Sequence, residues 1–135
     1  MIDSAIRTIL LADATISGLV GTKIRARVAH DADALPYLVY IRGRLLPLLN
    51  YQGQSGTCSA RFEIQSWSDE YSTVLTLGKA VRDALDAYSA GGTVGADTIL
   101  GVVIEDEDGA YEPPVKQNDQ GVFGSVVSIK AWFLE

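Results

Sequence analysis

The chain has 135 residues, of which 47% are hydrophobic and 21% charged, an ordinary globular balance that argues against intrinsic disorder and, by length, for one domain over 1–135. Cys58 is its one cysteine and His30 its one histidine, which excludes an intramolecular disulfide, a zinc site built from several Cys or Cys/His ligands, and a multi-histidine metal centre. A formal charge of −6 and a pI near 4.7 exclude the basic footprint that nonspecific nucleic-acid binding needs.

From Ile2 to Ala12, the residues Ile2, Ile6, Ile9 and Leu10 recur at the period of an amphipathic helix, with Asp3 or Ser4 available as N-cap. Asp13 can cap a further short turn through Ile16, Leu19 and Val20, with Gly21 as its stop. Lys23 to Val28 alternates Lys23, Arg25 and Arg27 with Ile24, Ala26 and Val28, as a short strand with one wet face does. After Leu35-Pro36, the run Tyr37 to Arg44 is rich in aromatic and β-branched residues and reads as a strand. Arg44 to Gly56 breaks any regular pattern with Pro47, Asn50, Gly53 and Gly56, yet carries Leu45, Leu46, Leu48, Leu49 and Tyr51. It reads as an extended apolar arm, too greasy for a disordered tether, that docks on something.

Thr57 to Trp67 is the clearest strand, with Cys58, Ala60, Phe62 and Ile64 expected to face the core and Arg61, Glu63, Gln65 and Trp67 the other side. Ser68 or Asp69 is the expected cap of a long helix to about Tyr88, with Val74, Leu77, Val81, Ala84, Leu85 and Tyr88 as its buried stripe and Gly91 and Gly92 as its end. Strands at about Thr98 to Glu105 and Val122 to Leu134 follow, paired as an antiparallel hairpin with a long, turn-rich tip from Asp106 to Gly121. In the last strand Phe123, Val127, Ile129 and Phe133 are set inward, and Val126, Lys130 and Trp132 outward. The fold class is therefore α+β, an antiparallel sheet with two main helices on one face.

Motifs for chemistry fail individually. Aligning Gly109 of the acidic run Glu105-Asp106-Glu107-Asp108 with the glycine of a calcium loop puts Ile104 at the first ligand position. The run reads instead as a solvated strand end that discourages edge aggregation. Gly91 to Gly95 follows a helix and precedes a strand, the reverse of a phosphate cradle. His30 has Asp31 and Asp33 beside it but no identifiable nucleophile. Cys58 sits on a core-facing register, where a thiolate is disfavoured. No cofactor, metal or catalytic residue is assigned, and the chain is not expected to be an enzyme.

Contact features remain. Through Trp67 there are seven Lys/Arg against five Asp/Glu, a balance of +2; from Ser68 onward four against twelve, or −8. Lys23, Arg25, Arg27, Arg42, Arg44 and Arg61 form a candidate patch across neighbouring strands that suits an acidic protein partner better than DNA, given the overall charge. Trp67 and Trp132 on outward registers either meet another chain or lie under loops of their own. The N-terminal segment has an acid where a secretory signal carries its positive region, and no apolar run approaches about 18 residues, so synthesis in the cytosol and no membrane span are expected.

The segments Ile6-Arg7-Thr8-Ile9-Leu10-Leu11-Ala12-Asp13 and Leu19-Val20-Gly21-Thr22-Lys23-Ile24, then Ala34-Leu35-Pro36-Tyr37-Leu38-Val39-Tyr40, belong to a longer pattern. It continues in Ala60-Arg61-Phe62-Glu63-Ile64-Gln65-Ser66-Trp67-Ser68, Leu77-Gly78-Lys79-Ala80-Val81-Arg82-Asp83-Ala84-Leu85 and Val126-Val127-Ser128-Ile129-Lys130-Ala131-Trp132-Phe133. Over nearly the full length this resembles the tail-completion or tail-terminator family of long-tailed bacteriophages and related gene-transfer particles. The resemblance implies a structural virion protein, made in the host bacterial cytoplasm, that forms a ring, commonly of six copies, at the head-proximal end of the tail tube. It implies a homo-oligomer ring, the major tail tube protein and a neck, stopper or connector protein as partners, with passive contact with DNA in the lumen. Another neck or head–tail joining protein of the same particle is the alternative. On this resemblance, Leu45, Leu46, Leu48, Leu49, Tyr51, Trp67, Trp132, Arg25, Arg27, Arg42 and Arg44 are the candidate interface residues.

Overall fold

The computed structural model describes residues 2–27, 35–50, 53–112 and 121–134, the side chains of 48–50, 53–55 and 112 excepted. The elements run α1 (Ile2–Ala12), α2 (Ala14–Val20), β1 (Ile24–Ala26), β2 (Tyr37–Asn50), β3 (Gly53–Ser68), α3 (Tyr71–Asp86), β4 (Gly92–Val94), β5 (Asp97–Glu112) and β6 (Val122–Leu134). The six strands form one sheet in the order β1-β2-β3-β6-β5-β4. Only β1 and β2 run parallel; every other neighbouring pair is antiparallel. The class is mixed α+β, with three helices among the described residues where two main ones are expected.

Helix α1 forms because Ile2, Ala5, Ile6, Ile9 and Leu10 fall on one stripe, and all five are buried. It begins at Ile2, so Asp3 is an acid in its first turn, favourable to the helix dipole, and neither Asp3 nor Ser4 is its cap. Asp13 does cap α2: its carboxylate accepts from the backbone N–H groups of Thr15 and Ile16, both at 3.0 Å. Helix α3 buries Val74, Leu77, Gly78, Ala80, Val81 and Leu85. Its N-cap is Glu70, which makes no side-chain capping bond, while Ser68 Oγ accepts from the Glu70 N–H at 3.1 Å two residues earlier in the turn.

Strands β3 and β6 pair in unbroken register from Thr57↔Leu134 to Ser68↔Phe123. Their alternate residues Cys58, Ala60, Phe62, Ile64, Val127, Ile129, Ala131 and Phe133 join α1, α2 and α3 side chains in a single hydrophobic cluster. Arg61 and Glu63 on the opposite register are exposed, and Gln65 and Trp67 half-buried, as strand alternation requires. Phe123 is only half-buried; it packs at the end of the core, 5.5 Å from the Tyr71 ring at the start of α3 and 5.1 Å from the Tyr111 ring on β5.

Four stretches depart from the sequence expectation. Arg44 to Gly56 is not an irregular arm: β2 continues to Asn50 and pairs back onto β3 as far as Asn50↔Gly53, with register shifts after Arg42 and Pro47. Pairing of β3 with β6 begins only at Thr57, so beyond it the hairpin bonds to itself. The acidic run is no strand end either, because β5 carries on through it to Glu112↔Val122, with a register shift between Ile104 and Asp106. The glycine segment after α3 contains β4, joined to β5 through Gly95, whose φ of 59° suits a two-residue hairpin turn. The β1 alternation also stops early: Ala26 is exposed, and Arg27, at φ 66°, turns the chain while its N–H bonds Tyr40 O at 2.9 Å. Val28 and His30 lie outside the described residues.

Trp67 faces Gly124 across the β3–β6 ladder, and a Cβ on Gly124 would sit 2.7 Å from the indole ring. The indole lies over the backbone of β6 and fills the space a side chain would take. Gly124→Ala is expected to lift the ring, shift tryptophan emission to longer wavelength and cost about 1–3 kcal/mol in a urea titration. Unchanged emission and stability would show that the ring does not depend on that gap. Ser66 is fully buried and, among the described residues, its hydroxyl has no hydrogen-bond partner. Ser66→Ala should therefore raise the unfolding free energy by about 1 kcal/mol; a loss of stability would reveal a partner for that oxygen.

Candidate protein interface

The candidate basic residues gather at one end of the sheet. Arg25 lies on β1 beside Val39 of β2, and Arg42 and Arg44 lie further along β2. Arg27 and Arg42 line one hollow together with Asp3 and Tyr40. Arg42 donates to Asp3 Oδ2 at 3.2 Å, tying β2 to α1, with both side chains about one-third exposed. Arg44 is exposed and shares a second hollow with Arg61 and Glu63.

The apolar candidates divide. Leu45 is half-buried and packs against the core, whereas Leu46 is 42% exposed. Leu48 and Leu49 are on the hairpin portion of β2; Tyr51 lies outside the described residues. Trp132 is half-buried, with Lys130 Nζ 5.0 Å from its ring centroid, a cation–π contact. Trp67 is half-buried over Gly124, and its Nε1 donates to Gln65 Oε1 at 3.2 Å. Trp67 is thus partly covered by the neighbouring strand β6, while the ring partner of Trp132 is Lys130 of its own strand.

The other end of the sheet holds what the sequence reading undervalued. Glu105 pairs with Arg61 at 3.0 Å, while Asp106 and Asp108 are exposed. Arg61 is two-thirds exposed, so this surface pair contributes well under about 1 kcal/mol. Glu107 turns toward α3, where it meets the Arg82 guanidinium and accepts from Ser125 Oγ at 3.0 Å. Gly78 makes this possible, since a Cβ there would stand 2.8 Å from Ser125 Oγ and closer still to the Glu107 carboxylate. Tyr71, Leu75 and Tyr111, each more than half exposed, surround the same junction of α3 with β5. The signal for it was the Glu107, Gly109, Tyr111 alternation, obscured by four successive acids.

No group of three or more His, Cys, Asp or Glu side chains able to hold a metal occurs among the described residues. Cys58 is 2% exposed. Among the described residues, no helix is long and apolar enough to cross a membrane. The described surface offers contact areas at a basic sheet end and an acidic sheet end, with Leu46 exposed beside the first.

The sequence matches the family described as tail completion protein gp17 over residues 4–133. No curated protein sequence matches it. The fold is similar to that of a chain in the virion of the native gene transfer agent (GTA) particle, with a TM-score of 0.72, 19% identity, and coverage of 98% of this chain and 93% of that one. With nearly every residue inside the family match and the whole fold accounted for, the chain belongs to the tail completion protein gp17 family and is a structural component of a virion tail.

Proposed function

We propose that copies of this chain close into a ring of six at the head-proximal end of the tail tube, end its polymerisation and present a surface to the neck or connector protein. What carries this is the family match over residues 4–133. The whole chain, 1–135, acts in it as one domain whose helices cover one face of the sheet. It works by shape, without turnover of a substrate. Synthesis in the host cytoplasm precedes incorporation into the particle.

A stop to polymerisation needs differential binding only: one face of the ring fits the last layer of tube, and the opposite face lacks the surface that recruits another tube subunit. The hairpin beyond Pro47↔Cys58 carries Leu48, Leu49 and Tyr51 and is assigned to the tube or the next subunit. Trp67 and Trp132 lie near subunit contacts in this assembly, and Arg25, Arg27, Arg42 and Arg44 form one side of the subunit boundary. Exposed acids that line the lumen let DNA pass without adhering.

Two experiments test this. Electron microscopy of particles lacking the protein should show tails of uncontrolled length; normal tails detached from heads would instead assign it to head–tail joining. Replacing residues 48–57 by an Asn-Gly turn should leave the chain folded and yield monomers in light scattering or overlong tails. Normal rings with normal tail length would remove the role of the hairpin.

A further inference from the structure

The sheet ends in two strand edges that are only partly covered by the described strands. On one side β1 pairs with β2 only at Leu38, Val39 and Tyr40, so from Ile41 onward no described strand lies beyond β2. On the other side β4 pairs with β5 only at Asp97, Thr98 and Ile99, and from Val103 to Glu112 no described strand lies beyond β5. Such edges present rows of backbone donors and acceptors and are templates for a further strand.

The two edges carry opposite charge. At the β2 edge Arg42 is engaged by Asp3, which leaves Arg44 exposed and available. At the β5 edge Glu105 is engaged by Arg61 and Glu107 by Arg82 and Ser125, which leaves Asp106 and Asp108 without a cationic partner among the described residues, both exposed, Asp108 accepting from the Gly109 N–H at 2.9 Å. Like edges brought together would set acid against acid or arginine against arginine, which is unfavourable for directly opposed residues. Only the unlike edges are complementary.

Strand direction agrees. β2 is antiparallel to β3, β3 to β6, and β6 to β5, so β2 and β5 point in opposite directions. A neighbour placed by rotation, continuing the same sheet, therefore offers its β2 antiparallel to β5. From this we infer that the occupant of the β5 edge is the β2 edge of a second copy of this chain, with Arg44 of one copy facing Asp106 and Asp108 of the other. The contact is heterologous, joining two different patches, and such contacts close into rings where the rotation permits. Repulsion of like edges excludes the competing two-fold dimer. The inference rests on the ring reading and supplies its subunit boundary.

The test uses the full chain and charge reversal of these three exposed side chains, with circular dichroism and the thermal midpoint as a check on folding. At matched concentration, Arg44→Glu alone and Asp106→Lys/Asp108→Lys alone should each lower the ring population at least tenfold in sedimentation velocity. An equimolar mixture of the two variants should restore it, because every boundary in an alternating ring is then complementary. Amide exchange of the wild type should slow on assembly at 41–46 and 103–108. Rings of both single variants at wild-type abundance, no recovery in the mixture, or unprotected edges in assembled rings would each overturn the edge pairing and leave the ring itself standing. A wild-type chain that stays monomeric both alone and on isolated tail tubes would remove the ring, and the pairing with it.

Discussion

The unbroken ladder between β3 and β6 is the constraint on which the remaining structure depends. Its register runs without a shift from Thr57↔Leu134 to Ser68↔Phe123, whereas both flanking ladders, β2 with β3 and β5 with β6, contain shifts. The difference follows from what each strand has to satisfy. On β3 and β6 a slip of one residue would carry Phe62, Ile64, Val127 and Ile129 out of the core and Arg61 and Lys130 into it, so register is strongly specified. Toward the sheet ends fewer side chains are buried, and a bulge costs little.

Two polar arrangements hold the flanks to this centre. Arg42 and Asp3 join the β2 end to α1, and Arg82, Glu107 and Ser125 join α3 to β5 and β6 beneath the gap left by Gly78. Both are partly solvated, so their effect is better seen in where β2 and β5 are positioned than in stability. Each consumes charge that would otherwise face outward. Arg44 at one end and Asp106 and Asp108 at the other stay exposed, Asp108 accepting only from the N–H of the adjacent Gly109, so charge is left at the sheet edges.

In the proposed role, a small tail protein of the completion family acts on a growing polymer by differential binding. Surfaces of unequal affinity are sufficient, and this fold separates them physically: the sheet order puts β3 and β6 between the basic and acidic ends, and the hairpin extends beyond the part of β3 that β6 covers. In the proposed edge pairing, the same edges that would invite indiscriminate strand addition carry charges that favour the unlike edge.

The sequence by itself determined the elements whose one side is buried. In α1, α3, β3 and β6 the helical or alternating period survives because half of each element must avoid water, and the Asp13 cap of α2 is a local hydrogen-bond pattern readable from adjacent residues. Tertiary structure decided the rest. Leu45 to Asn50 and Glu105 to Glu112 are strands through backbone pairing with a neighbour, and the described residues Leu46, Pro47 and Glu105 to Gly109 are exposed without alternation. Likewise only the fold brings Trp67 over Gly124 and Arg82 onto Glu107, since cross-strand and helix–sheet neighbours are distant in sequence. The halves of the charge imbalance were countable in the chain, but their separation to opposite edges is a property of strand order, which no local pattern encodes.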